Sequence, residues 1–134
     1  MIAHILIIDA DATAAQVTRS LVARVCPEAL VLIAPSSARA TRPVEGQSAQ
    51  ILIIDPSHDQ LADERFMRAF KVTNPGALII ALTATPPARL LRQLRALGVD
   101  TLLEKSARPA ALLRDLQSAL AGYGGAPRLH AWHL

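Results

Sequence analysis

A single cysteine, Cys26, stands among 134 residues, so the chain has neither a disulfide framework nor a cysteine-built zinc site. Beside a proline and at a helix end, that thiol reads as packed rather than reactive. Aromatic residues amount to 3% and no basic block occurs. The net charge of +3 therefore makes no case for a nucleic-acid partner. No apolar run approaches the length of a bilayer span. The run from Ile5 to Ile8 is also too short, and too soon followed by Asp9, for a secretory signal. His58, His130 and His133 lack partners at metal-ligand spacing and read as surface histidines. With 51% hydrophobic and 19% charged residues, disorder is excluded and one ordinary core is affordable without metals or cross-links. A soluble, cytoplasmic domain is expected, with no membrane contact.

Short apolar runs ending on polar groups are what the chain does have. Ile51-Leu52-Ile53-Ile54 stops on Asp55, Ile5-Leu6-Ile7-Ile8 on Asp9, and Leu78-Ile79-Ile80-Ala81-Leu82 on Thr83. Runs of this length without alternation read as strands buried on both faces of a parallel sheet. Two further strands are expected at Leu30 to Ala34 and at Thr101 to Glu104, the latter ending on Lys105. Between them lie helical patterns. One runs from Ala12 to Val25 with Val17, Leu21 and Val25 on its stripe, capped by Asp11 or Thr13 and stopped by Cys26-Pro27. Another is expected from about Glu64 to Val72, burying Phe66, Met67 and Phe70, with residues 56–63 as a polar loop before it. A fourth helix starts at Thr85-Pro86-Pro87, carries Leu90, Leu91, Leu94 and Leu97 inward, and ends at Gly98 as a left-handed cap. Pro109 opens the last helix, with Leu112, Leu113, Leu116 and Leu120 facing the core. Residues 35–50 show little periodicity and promise at most a short helix.

Five strand-helix alternations imply an α/β fold, a five-stranded parallel sheet with helices on both faces. Residues 1–121 form this single domain. Residues 122–134, with Gly124, Gly125 and Pro127, cannot continue the helix and are expected to be a flexible tail, Trp132 included.

In such sheets chemistry collects beyond the carboxyl ends of the strands, where Asp9, Asp55, Thr83 and Lys105 all fall. Two carboxylates brought within about 4 Å repel by roughly 4 kcal/mol at an effective dielectric near 20 and demand a cation between them. Magnesium and the Lys105 ammonium both answer that demand. A phosphoryl group on Asp55 could then be held by the cation, the lysine and the Thr83 hydroxyl, as an acyl phosphate.

These residues resemble the receiver domains of two-component response regulators. The resemblance covers residues 3 to about 121 and rests on Ile7-Ile8-Asp9, Leu52-Ile53-Ile54-Asp55, Leu82-Thr83-Ala84 and Leu103-Glu104-Lys105, with Thr83 28 positions after Asp55 and Lys105 22 after Thr83. It implies a flavodoxin-like fold and a non-enzymatic, stand-alone signalling domain. Asp55 matches the phosphoacceptor, Thr83 the switch hydroxyl and Lys105 the phosphate-binding lysine. Magnesium would be held by Asp9 and Asp55, with Asp11 and the Ser57 backbone as further ligands. The implied partners are a histidine kinase or phosphotransfer protein upstream and a protein target downstream.

Four departures accompany the resemblance. Ala10 stands where the family has its second acidic residue, the direct metal ligand, and Pro56 follows Asp55 without an N–H to offer. Ser106 replaces the proline after the lysine, and Leu102 a switching aromatic. The main expectation is phosphoryl acceptance at Asp55, and the departures open an alternative, a pseudo-receiver that binds its partner without phosphorylation. Alternation along the fifth strand points Leu102 towards solvent beside the fourth helix, where Arg89, Arg92 and Arg95 form a solvated face. An exposed leucine rimmed by arginines would suit a protein partner or a homodimer. A further alternative is a phosphatase of the haloacid-dehalogenase type, since Asp9-Ala10-Asp11-Ala12-Thr13 fits Asp-x-Asp-x-Thr. Asp9 would be its nucleophile and Asp11 its acid and base, but only Asp115 is available as the later acid.

Overall fold

The computed structural model describes residues 4–40, 50–56, 60–84, 88–105 and 108–121. Its elements are β1 (His4–Ile8), α1 (Ala12–Val25), β2 (Leu30–Ala34), α2 (described over 37–40), β3 (Ile51–Ile54), α3 (Gln60–Thr73), β4 (Leu78–Thr83), α4 (Ala88–Ala96), β5 (Thr101–Glu104) and α5 (Pro109–Leu120). All five strands are parallel, in the order β2-β1-β3-β4-β5. The expected sheet is thus present, and the chain reverses direction of growth between β1 and β3. No helix among the described residues is long and apolar enough to cross a membrane.

Successive strand residues point to opposite faces, which divides the core in two. Ile5, Ile7, Ile51, Ile53, Ile80 and Leu82 pack with α1 and with Leu112 and Leu116 of α5. Leu6, Ile8, Leu52, Ile54 and Ile79 pack on the other side with Met67 and Phe70 of α3 and Leu94 of α4. Each such side chain, fully buried, contributes about 1.5–3 kcal/mol. The strands β1, β3 and β4 therefore need no polar alternation, and none is seen.

Three sequence expectations need correction. Val17 is exposed, because α1 turns Ala15, Thr18, Leu21 and Val22 inward instead. β2 is buried on one face only: it is an edge strand, and Leu30 and Leu32 are 52% and 42% exposed. Finally, α3 begins at Gln60, not Glu64. Asp63, assigned to a loop, is in its first turn and buried.

The ends otherwise follow the local chemistry. The Asp11 side chain caps α1 by accepting from Ala14 N at 3.1 Å, and the helix ends before Pro27 as expected. Gly98 closes the turn after α4 at φ +94°, a left-handed conformation that a residue with a Cβ resists. The fourth helix is described from Ala88, so its predicted Thr85-Pro86-Pro87 start lies outside the described residues, as does the tail 122–134.

At the opposite edge from the acidic residues, Asp100 ties β4, β5 and α3 together. Its Oδ2 accepts from Ile79 N at 2.8 Å and from Lys71 Nζ at 3.3 Å, while Lys71 also donates to Ala77 O at 2.7 Å. Asp100→Ala leaves the Ile79 amide without this acceptor. Urea unfolding should show a loss of about 1–2 kcal/mol, and a variant as stable as the wild type would show that water replaces the carboxylate at no cost.

Candidate functional site

The strand register places the site. Ile8 lies opposite both Ala34 and Ile54, and Thr83 opposite Glu104. The residues that follow these strand ends must therefore emerge side by side. Backbone pairing carries on for one more residue: Asp9 N donates to Ala34 O at 3.1 Å, Asp55 N to Ile8 O at 2.9 Å and Lys105 N to Thr83 O at 2.7 Å. Asp9, Asp55 and Lys105 are thus fixed by the sheet, not by loops.

Their side chains meet. Lys105 Nζ lies 2.8 Å from Asp9 Oδ2 and 2.5 Å from Asp55 Oδ2. The lysine side chain is 20% exposed, Asp9 4% and Asp55 9%. A long stem from β5 has crossed β4 to bring one ammonium between two nearly buried carboxylates. Charge-assisted bonds of this kind are among the stronger ones. Thr83 is buried at the end of β4, the strand between β3 and β5. Of the remaining oxygens, Asp9 Oδ1 accepts from Asp11 N at 2.9 Å. Asp55 Oδ1 is buried with no hydrogen-bond partner among the described residues.

Burial by itself would lower the Lys105 pKa, but hydrogen bonds and charges from Asp55 and Asp9 outweigh it and hold the ammonium above its ordinary value. A lysine whose pKa is raised on folding adds stability that is fully present below the unfolded value of about 10.4 and lost as pH rises through the folded one. The stability gap between wild type and Lys105→Met should therefore be constant from neutral pH to about 10 and shrink above it. Thermal melts of both proteins across that range check this; a gap that is unchanged in strong alkali contradicts it. Burial also pushes the Cys26 thiol up, which agrees with its packing against the α1 and α5 side of the core.

A magnesium ion takes oxygen ligands in near-octahedral array and keeps several waters. It does not fit. Both Oδ2 atoms face the lysine, Asp9 Oδ1 is used by a backbone amide, and Ala10 offers no oxygen. Asp11, a ligand expected from the sequence, accepts from the Ala14 amide through Oδ1 as the cap of α1. Among the described residues no group of three or more His, Cys, Asp or Glu side chains could hold a metal. The Ser57 backbone and Ser106 lie outside the described residues.

Asp11 Oδ1 is engaged in the α1 cap, and the Asp9 carboxylate is buried against Lys105. Leu102 is not the exposed residue expected: it is half-buried and packs against the α3 and α4 side of the core, since β5 pairs directly with β4 there. Arg89, Arg92 and Arg95 are exposed, as a solvated face requires.

One polar pair was missed. Ser37 Oγ, at the start of α2, donates to Asp63 Oδ1 of α3 at 2.5 Å, and both residues are buried. With Ile8, Ala10, Ser36 and Asp55 they line an open cavity of about 180 Å³ at the β1–β3 reversal. The signal was present, because Asp63 precedes Phe66, Met67 and Phe70 by three, four and seven positions. That spacing puts it on the buried stripe of the helix.

No family model matches the chain, and no curated protein matches it in sequence. Solved structures do match. A CheY-like response regulator receiver domain protein from Methanospirillum hungatei is 18% identical with a TM-score of 0.74, covering 90% of this chain and 94% of that one. The chemotaxis response regulator CheY4 of Vibrio cholerae is 20% identical with a TM-score of 0.74, covering 90% and 100%. A response regulator from Thermotoga maritima reaches a TM-score of 0.76 at 12% identity, covering 90% and 99%. The chain has the fold of CheY-like receiver domains.

Proposed function

We propose that this chain is a signal-transduction module of the receiver type that acts by binding a downstream protein, in one fixed state that needs no phosphoryl group. The observation that carries this reading is the Lys105 ammonium shared by Asp9 and Asp55 beside Ala10. The two carboxylates are already supplied with a cation, and the residue that would bring a metal has no donor. The module binds and does not turn over substrate. Its docking surface is built from α4 and β5, where Arg89, Arg92 and Arg95 provide a polar rim for a partner or for a second copy of the chain.

A second reading is favoured by Asp55 Oδ1, the one carboxylate oxygen of the cluster without a partner among the described residues. Asp55 would then accept a phosphoryl group from a histidine kinase or phosphotransfer protein. Its oxygen would form the new bond to phosphorus as the donor's phosphorus bond breaks, with Lys105 and the Thr83 hydroxyl beside the transferred group. Incubation with acetyl phosphate and magnesium, followed by intact mass, separates the two. The first reading expects no adduct in the wild type and one in Ala10→Asp. An adduct on the wild type that Asp55→Asn abolishes would establish the second reading and end the first.

A further inference from the structure

We infer that Lys105 is the resident cation of this pocket, taking the place that a divalent metal would need, so that the acidic residues are assembled without any metal. The inference deepens the reading of the pocket as receiver-like and does not depend on which partner the module binds.

The argument is one of place and charge. Asp9 and Asp55 come from neighbouring strands, and their nearest oxygens both contact one nitrogen. A metal taking these two Oδ2 atoms has to remove that nitrogen from both. A metal on Asp55 Oδ1 alone would have one carboxylate oxygen, with the ammonium close by on the same carboxylate and repelling it. Formal charge gives the same answer. Two carboxylates and one ammonium leave a single negative charge, half of what a divalent ion would balance. Asp11 already uses its Oδ1 to cap α1, a contact worth about 1 kcal/mol.

Room for the missing ligand exists. Ala10 is exposed and lines the 180 Å³ cavity together with Asp55. A carboxylate built at position 10 would therefore stand in open space next to Asp55. The cavity in its present form offers that position only a methyl group.

Two changes should turn metal binding on from opposite directions. Ala10→Asp supplies a ligand, and Lys105→Met withdraws the competing cation. The experiment titrates Mn²⁺ into the full chain and reads free Mn²⁺ by electron paramagnetic resonance, with Mg²⁺ titration read by amide chemical shifts as a second signal. Wild type should show no saturable binding through the millimolar range. Ala10→Asp should bind at least about tenfold more tightly, since even an outer-shell partner is commonly worth 10- to 100-fold in affinity. Asp55→Asn in that background should abolish it. Lys105→Met should also acquire binding; if that variant does not fold, Lys105→Gln, equally uncharged, takes its place. Saturable Mn²⁺ binding by the wild type, lost in Asp55→Asn, would overturn the inference. So would failure of a folded Lys105→Met to bind any better than wild type. Neither result bears on protein docking, which the phosphorylation and partner assays address separately.

Discussion

Lys105→Met is expected to lower stability at neutral pH by about 3 kcal/mol, at the lower end of the cost of breaking a buried ion pair by removing one partner. The substitution keeps most of the apolar stem and removes only the charge. It leaves Asp9 and Asp55, 4% and 9% exposed, facing one another with no cation between them. Because both carboxylates touch the same nitrogen, they are no further apart than those two contacts laid end to end. Two unit charges about 5 Å apart repel by roughly 3 kcal/mol at an effective dielectric near 20. Water reaching the lysine position, which is 20% exposed, keeps the figure from rising further. Adding Asp55→Asn to Lys105→Met should return most of the loss, because the repulsion then disappears. Urea unfolding of the two single variants and the double variant gives the coupling directly. If Lys105→Met lies within about 0.5 kcal/mol of wild type, as an ordinary surface substitution would, the cluster is not held by the ammonium.

The second large effect is expected in the core. Phe70→Ala should cost about 3–5 kcal/mol, from lost transfer energy and from the cavity left behind. Phe70 is 1% exposed, and its ring stacks on Phe66 with centroids 6.1 Å apart. It shares its side of the core with Leu6, Ile8, Leu52 and Ile54 of the sheet and with Leu94 and Leu97 at α4. Val72→Ala, two residues along at an 81% exposed position, serves as the control and should change stability by less than about 0.5 kcal/mol. Equal effects at the two positions would mean that α3 does not pack as described.

Legibility in the sequence followed the physics of each element. The strands β1, β3 and β4 were readable because burial on both faces demands unbroken apolar runs, and Asp9, Asp55, Thr83 and Lys105 were readable because they interrupt or follow such runs. β2 was misread for the same reason: Leu30-Val31-Leu32-Ile33 looks identical to a central strand, and only the strand order reveals that it lies at an edge. Periodicity placed α1 correctly but chose Val17 over Ala15 and Thr18, since bulk was weighted above the angle each residue makes with the sheet. The start of α3 was hidden by polar residues at its first turn, so Asp63 was taken for a loop residue although its spacing to Phe70 was helical. At the site, the sequence could pair the carboxylates with a cation but not choose which cation. That choice needed the reach of a lysine stem over β4, a distance no spacing rule contains.

That reach has one more consequence. β5 is the edge strand opposite β2, short and half-buried, and its backbone is paired only to β4 among the described residues. Edge strands of this kind are where local opening begins, well below the energy of global unfolding. Lys105 gives the strand a second anchorage, since its ammonium is fastened to Asp55 and Asp9 on two interior strands. The pocket therefore acts as a clasp on the sheet's margin, and amide hydrogen exchange in residues 101–105 is the place where its release would first be seen.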